Sequence, residues 1–268
     1  MDPAQTINTI LKSYNDVAFT WTGQGLNYGR HLYSILALIQ IVWCGFLWML
    51  RRGASADWLV DVVKKILFLT LMWGLLINYE YWVPPIYNSF ARAGAQMSGL
   101  NSFQPGRIIG QGISLSSLII AKGMNIGHAL RVENISAGIF CLIVGLAIFF
   151  VFARIGIEVI FLLIGGKMLL AGGAIVLGFA ASPWTARFAM RYIQGMVYLG
   201  IRLMFLILMI GVGEPLTRGW QNLIKVTAFY DWTALCLTLS AGTLILYYLT
   251  VRLPELAARL FVGEGSLS

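Results

Sequence analysis

The chain has 268 residues, of which 59% are hydrophobic and only 11% are charged. Ordinary soluble domains carry roughly a quarter charged residues, and one soluble core of this size could not bury so much apolar surface. Composition therefore excludes a soluble globular domain and predicts an all-α, polytopic membrane helix bundle. The net charge of +8 is spread between apolar runs, which is typical of basic membrane flanks rather than of a nucleic-acid site.

The first predicted element is an amphipathic helix within residues 1–30. Its apolar residues recur at steps of three and four, which is the helical period. The segment is too polar to span a bilayer, so we expect it to lie on the membrane surface or to pack against a neighbour. The glycines that follow residue 22 predict a break before the first span. The apolar stripe consists of Ile7, Ile10, Leu11, Tyr14, Val17 and Trp21.

Residues 31–83 contain the first two predicted membrane spans. One runs over residues 32–50 and the other over 66–83, where Pro84-Pro85 is expected to stop the helix. The connection between the spans carries four basic residues, which favours a cytoplasmic position for it and a periplasmic N-terminus. The basic residues are Arg51, Arg52, Lys64 and Lys65.

Residues 84–134 differ from the flanking spans because they are rich in Gly, Ser, Asn and Gln. In the orientation given above they form the largest extracytoplasmic loop. The loop is interrupted at Pro105-Gly106, and its periodicity predicts a helix from about residue 108 to residue 130.

Residues 135–251 form a Gly-rich membrane block, followed by a short tail at 252–268. Only Arg154 separates the first two runs of the block, so they form either a tight hairpin or one bent helix. Without two full crossings there, the total falls from six spans to five. The many small residues predict close helix packing, inside the protomer or between copies. The four candidate spans are 135–153, 155–181, 193–213 and 232–251.

Three ionisable residues, Glu158, Lys167 and Arg202, lie inside apolar runs, where a charge costs roughly 2.5–3.5 kcal/mol on insertion scales. Arg154 lies one turn before Glu158, so these two can pair on one helix face. Lys167 lies on the opposite side of the helix from Glu158 and needs another helix, another subunit or water. Two interpretations stay open: the charges pair across helices and fix packing, or they face a wet conduit or a subunit interface.

The sequence contains none of the catalytic, cofactor or metal-ligand motifs that were sought. Gly165-Gly166-Lys167 lacks the residues that a phosphate loop requires, because Phe161 and Met168 stand where Gly and Ser or Thr are needed. The three cysteines lie far apart inside apolar runs and are typical of small buried side chains. We expect a protein that is not an enzyme and binds no cofactor or metal.

The order of these features resembles the TrbL family, the polytopic inner-membrane proteins of conjugative and other type IV secretion systems, related to the VirB-type channel component. The similarity covers nearly the whole chain, from the amphipathic start through the basic loop to the Gly-rich block. Its most specific part lies in the extracytoplasmic loop. The residues that carry it are Phe103, Pro105, Gly106, Arg107, Ile108 and Gly112.

The resemblance implies a non-enzymatic scaffold or channel component of the bacterial inner membrane that forms a homo-oligomer, a pentamer. It implies contacts with the minor pilin of the stalk, the pilin, a bitopic arch subunit and the secretion ATPases that supply energy. It further implies support for pilus assembly and for the passage of DNA or protein. Members often have a long Gly/Ala-rich cytoplasmic tail, whose role is not carried over to this chain.

Two functional hypotheses follow. In the first, the N-terminal stripe and residues 84–134 bind extracytoplasmic partners, the Gly-rich spans bind sister copies within the lipid, and transported DNA or protein makes transient contact. In the second, the chain is a secondary transporter or small-ion channel that uses Glu158, Lys167 and Arg202. The lack of an internal repeat argues against the second hypothesis.

Overall fold

The computed structural model describes residues 3–50, 56–99, 105–127, 132–226 and 232–262. Within these ranges the chain forms seven α-helices, a 3-10 turn at Phe179–Ala181, and no strand. The all-α fold that the composition predicts is therefore confirmed. The helices are α1 Pro3–Leu50, α2 Ala56–Ile77, α3 Tyr79–Met97, α4 Pro105–Gly127, α5 Val132–Gly178, α6 Ala186–Val226 and α7 Trp232–Val262.

Four of the described helices are long and apolar enough to cross a bilayer. The two longest, α1 and α5, have 48 and 47 residues. At 1.5 Å per residue each extends about 70 Å, more than twice the roughly 30 Å hydrocarbon core. The chain is thus a multi-pass membrane protein whose longest helices exceed the apolar layer. The candidate spans lie within Thr9–Leu50, Gly138–Ala181, Ala186–Val226 and Trp232–Phe261.

The amphipathic segment and the first span form one continuous helix, α1, without the predicted break. Two of the glycines that suggested a break instead face the backbone of α5. Gly25 lies against Ala171, and Gly29 lies against Ala174. Because glycine has no side chain, α1 and α5 can approach closely here. The resulting packing stabilises α1, which the glycines would weaken if the helix were isolated.

The predicted second span, 66–83, is divided at Asn78, because α2 ends at Ile77 and α3 begins at Tyr79. Helix α2 offers only about 12 apolar residues after Lys65, or about 18 Å, which is short for a span. Helix α3 continues through Pro84 and Pro85, although proline removes a backbone donor. Packing of one helix face offsets that loss. The buried residues of this face are Tyr79, Val83 and Tyr87.

Residues 135–178 form a single helix, α5, so a hairpin at Arg154 does not occur. The sequence around Arg154 contains no proline and no turn-forming pair, and the backbone hydrogen bonds continue through it. The two predicted spans on either side become one candidate crossing. Together with the short α2, this lowers the number of described helices that meet the length and apolarity criterion to four.

The other helices also begin or end at residues that differ from those predicted. The span expected to end at residue 213 continues in α6 to Val226, with Pro215 inside the helix. The last span and the amphipathic tail are one helix, α7, which contains Pro254. The helix predicted from about residue 108 begins at Pro105, since proline fits the first turn of a helix. Most of the predicted loop 84–134 is therefore helical.

The helices belong to two compact units, each described by itself. The first unit comprises Met1–Ser13, Phe90–Leu163 and Ile201–Ala258, and the second comprises Tyr14–Ser89, Ile164–Gly200 and Arg259–Ser268.

In the first unit, α4 and α5 interlock through glycines. Gly112 of α4 faces the ring of Phe152, and Gly123 faces Cys141. Gly145 of α5 accepts the side chain of Ile120 in return. Each glycine thus receives a side chain from the other helix, which is the close packing that the small residues predict.

In the second unit, tyrosines pack on the glycines of α5. Gly166 lies against Tyr87 of α3, and Gly173 lies against Tyr192 of α6. These glycines are seven residues apart and share one helix face. The hydroxyl of Tyr79 donates a hydrogen bond of 2.6 Å to the carbonyl of Leu170 and lies 2.7 Å from the Tyr192 hydroxyl. The small residues here pack within one protomer.

Exchanging Gly29 for alanine tests the α1–α5 contact. A methyl group there would overlap the Ala174 backbone, so we expect a loss of about 1–3 kcal/mol despite the better helix propensity of alanine. The matched control is Gly23→Ala, where no described part of the chain except the helix's own backbone lies within 4 Å of the new methyl group, and a gain of up to about 1 kcal/mol is expected. Thermal unfolding in detergent measures both, and equal shifts would contradict the contact.

Candidate functional site

Two of the three intramembrane charges form an ion pair in the first unit. Nη2 of Arg202 on α6 donates to Oε1 of Glu158 on α5 at 2.5 Å. Only 19% and 16% of the two side chains is exposed. Arg154, the alternative partner of Glu158, is exposed. For this pair, the geometry matches the interpretation that charges pair across helices.

The pair is neutral as a unit but incompletely hydrogen-bonded. Nε of Arg202 is buried and has no partner among the described residues. Mutual neutralisation lowers the cost of placing both charges among apolar helices, and loss of either partner would leave the other uncompensated. Two of the three residues required by the transporter hypothesis are thus used to join α5 to α6.

Lys167 lies in a different environment, at a pocket of about 410 Å³ in the second unit. Its ammonium group donates a hydrogen bond to Oδ1 of Asn15 on α1. The pocket brings together α1, α3 and α5, and its lining is partly polar and partly apolar. The lining residues are Asn15, Asp16, Ala18, Phe19, Thr22, Glu80, Pro84, Asn88, Lys167 and Leu170.

The pocket wall is fixed by the tyrosine contacts described above. Leu170, which lines the pocket, accepts the hydrogen bond from Tyr79. Gly166, next to Lys167, lies against Tyr87. The ammonium group is therefore held on a well-packed helix face and not on a mobile loop.

The electrostatics of the pocket are mixed. Lys167 supplies one positive charge, whereas Asp16 and Glu80 supply two carboxylates. Asn15 and Asn88 add amide donors and acceptors. Such a lining suits a polar segment that carries both donors and charge. Among the described residues, no group of three or more His, Cys, Asp or Glu could hold a metal ion.

The sequence identified Lys167 but not the residues around it. Asn15, Asp16, Glu80 and Asn88 read as ordinary polar residues of amphipathic segments. The one available signal is that Lys167 requires a polar partner from another helix. Which helix supplies it depends on the packing of α1 and α3 against α5, which periodicity does not reveal.

The N-terminal stripe is largely exposed. Four of its residues are between 42% and 51% exposed, and Leu11 is half-buried. The side chain of Ile7 lies outside the described residues. Phe19, at the rim of the pocket, is 77% exposed. An apolar surface therefore borders the polar pocket on α1. The four exposed residues are Ile10, Tyr14, Val17 and Trp21.

The loop motif forms the start of α4. Pro105, Gly106 and Ile108 are buried, and Gly112 packs on Phe152. These side chains are used for packing within the first unit. Phe103 lies outside the described residues.

Arg107, unlike the other described residues of the motif, is exposed, and it pairs with Glu214 of α6 at 2.8 Å. Glu214 also accepts from Arg218 at 2.5 Å. The carboxylate next to Pro215 is thereby held between two arginines, which joins the start of α4 to the middle of α6.

Comparison with known proteins gives matches along most of the chain. The family model described as TrbL/VirB6 plasmid conjugal transfer protein matches residues 37–250. The conjugal transfer protein TrbL of Rhizobium radiobacter is 25% identical over 265 residues, which cover 97% of this chain and 64% of that protein. A probable conjugal transfer protein TrbL of Sinorhizobium fredii (strain NBRC 101917 / NGR234) is 25% identical over 249 residues, covering 91% and 60%. The chain spans less than two thirds of these relatives.

A double-mutant cycle tests the Glu158–Arg202 pair. We expect Glu158→Leu alone to lower the free energy of unfolding by about 3 kcal/mol, because it leaves a largely buried arginine unpaired. The double variant Glu158→Leu, Arg202→Leu should recover most of that loss. Arg154→Leu is the control and should change stability little. Chemical unfolding in mixed micelles measures the cycle, and additive losses would show that the two residues do not interact.

Proposed function

This chain belongs to the TrbL family, and we propose that it is a non-enzymatic inner-membrane component of a conjugative type IV secretion machine. The observation that carries the proposal is the family match over residues 37–250, which includes parts of all four candidate spans. In this role the chain supports substrate passage and pilus assembly, and ATPases elsewhere in the machine supply energy.

The orientation that we propose places the N-terminus in the periplasm, since Arg51 and Arg52 follow α1 in the sequence and Lys64 and Lys65 precede the apolar run of α2. The Lys167 pocket then faces the periplasmic side of the second unit, because Asn15 and Asp16 precede the long apolar run of α1. A polar segment of a stalk or pilin subunit is the partner that this lining suits. The exposed stripe beside it supplies apolar contact area.

We further propose that the protein works as a homo-oligomer, a pentamer. The helices expose many large apolar side chains, among them Leu38 and Ile41 on α1 and Tyr248 on α7. In a membrane these side chains meet either lipid or a sister copy. A ring of copies would place several Lys167 pockets around one axis, which suits a platform beneath a pilus.

Removing the charge of Lys167 tests whether the pocket docks a segment of a stalk or pilin subunit. In donor cells that carry the variant as their one copy, Lys167→Leu should lower the conjugation frequency about tenfold or more, the size of one lost charge-assisted hydrogen bond. The control is Lys12→Leu, which removes an exposed charge that does not line the pocket. Membrane levels of both variants are measured by immunoblot.

The same variant separates this function from transport. If the purified protein alone in liposomes moved ions or small solutes, and Lys167→Leu abolished that flux, the transporter hypothesis would replace the docking role.

The oligomer proposal makes an independent prediction. Mild solubilisation of cells that carry the whole secretion system should yield particles containing more than two copies of the chain. Light scattering corrected for bound detergent measures the protein mass. Recovery of monomers alone, under conditions that keep other subunits of the machine assembled, would refute the ring.

A further inference from the structure

A second pocket of the second unit is an apolar groove between α1 and α2, with a volume of about 260 Å³. On each helix the lining residues recur at steps of three and four, so each helix contributes one continuous face. From α1 come Gln40, Ile41, Cys44, Gly45 and Trp48, and from α2 come Val62, Lys65, Ile66 and Leu69.

The groove exists because Gly45 stands where a larger side chain would fill it. Apart from its own helix backbone, no described part of the chain lies within 4 Å of the position that a methyl group on Gly45 would occupy. Further along, the same helices are joined by a 2.6 Å hydrogen bond from the Tyr33 hydroxyl to the carbonyl of Leu69. The helices are thus held together near one end of the groove and leave unfilled space at Gly45.

The groove opens to the apolar exterior. Ile41, Trp48 and Ile66 each line it and each expose more than half of their surface. They belong to the apolar run of α1 and the start of the apolar run of α2, where the surrounding medium is hydrocarbon. An apolar cleft beside lipid loses dispersion contacts when empty, so a flexible hydrocarbon chain is the natural filler.

The dimensions suit one lipid chain. From Gln40 to Trp48 the α1 face extends about 12 Å, and from Val62 to Leu69 the α2 face extends about 10 Å. One leaflet of hydrocarbon is about 15 Å deep. The groove therefore accommodates most of the depth of one acyl chain.

One basic residue lies about one turn inside the Val62 end of this groove, where the apolar run of α2 begins. Among the described residues, Lys65 is the one charged residue that lines the groove, and it makes no ion pair with any of them. Lys64 is adjacent and also exposed. Cations at the end of an apolar run lie at headgroup level, where they attract anionic lipid.

We propose that this groove binds an anionic phospholipid, with one acyl chain between α1 and α2 and the phosphate on the Lys65 ammonium group. The site depends only on the chain being embedded in a membrane and not on its role in conjugation. A bound lipid here would fill the gap at Gly45 and join the first two helices at their headgroup ends.

Native mass spectrometry of the purified full chain, titrated with phosphatidylglycerol or with phosphatidylcholine of the same acyl chains, tests the proposal. We expect phosphatidylglycerol to bind about tenfold more tightly, and Lys65→Gln to remove that preference. Lys64→Gln is the matched control, because it removes a neighbouring charge that does not line the groove. Equal losses in both variants, or no preference between the lipids, would overturn the site.

Filling the groove tests the acyl chain. Gly45→Leu should abolish binding, whereas Gly23→Leu, in equally open space on α1 outside the groove, should not. Circular dichroism checks that both variants remain helical, and Lys65→Gln, which leaves the groove open, tests the site independently of Gly45→Leu. Binding of soluble glycerol phosphate as tight as that of the lipid would mean that the groove plays no part.

The reactivity of the Cys44 thiol shows directly whether the groove is occupied. It lines the groove and is half-buried, whereas Cys141 and Cys236 are buried. In nanodiscs, maleimide labelling of Cys44 should be several-fold slower with phosphatidylglycerol than with phosphatidylcholine. If the labelling rate of Cys44 depended on the number of chains in each nanodisc and not on the lipid type, a second copy of the chain would occupy the groove, and the lipid site would be refuted.

Discussion

Hydrocarbon offers a backbone N–H or C=O no partner except another group of the protein, and this constraint explains why the apolar runs of the chain are helical. In water, glycine weakens a helix because it loses more backbone freedom, and proline because it lacks an N–H and its ring clashes with the preceding turn. In this chain α1 continues through Gly25 and Gly29, and α6 continues through Pro215. At each glycine the neighbouring α5 backbone comes close enough to replace the lost contacts. Residues that look like breaks in the sequence become the places where helices meet.

The same constraint sets what the sequence could predict. Apolar composition and small-residue spacing predict a helical membrane bundle with close packing, and both agree with the structure. Helix ends were predicted less well, since rules for glycine and proline derive mainly from soluble helices. Asn78 divides a predicted span, although asparagine is a weaker predictor of a helix end than proline. Helix α3 nevertheless continues through Pro84 and Pro85. The buried face of α3 decides that outcome, and burial requires knowledge of the neighbouring helices.

The intramembrane charges show a second limit of sequence reasoning. Helical geometry places Glu158 and Lys167 on opposite sides of one helix and offers Arg154 as a partner for the carboxylate, but it leaves open which residue of another helix could take that place. The structure selects Arg202 on α6. An intrahelical pair with Arg154 would leave Arg202 uncompensated in an apolar run, whereas the cross-helix pair satisfies both.

Lys167 has no carboxylate partner on its own helix. The surroundings of its ammonium group favour binding of another subunit over transport of a solute. Transporters of the alternating-access type need a binding site between elements that move. Here the pocket wall is fastened: Tyr79 is bonded to Leu170 and to Tyr192, and the ring of Tyr87 is packed on Gly166. Motion of α5 relative to α3 would break a buried hydrogen bond and empty a packed glycine site at the same time. A wall held in this way presents its charge at a fixed position, which is what a docking surface for another subunit requires.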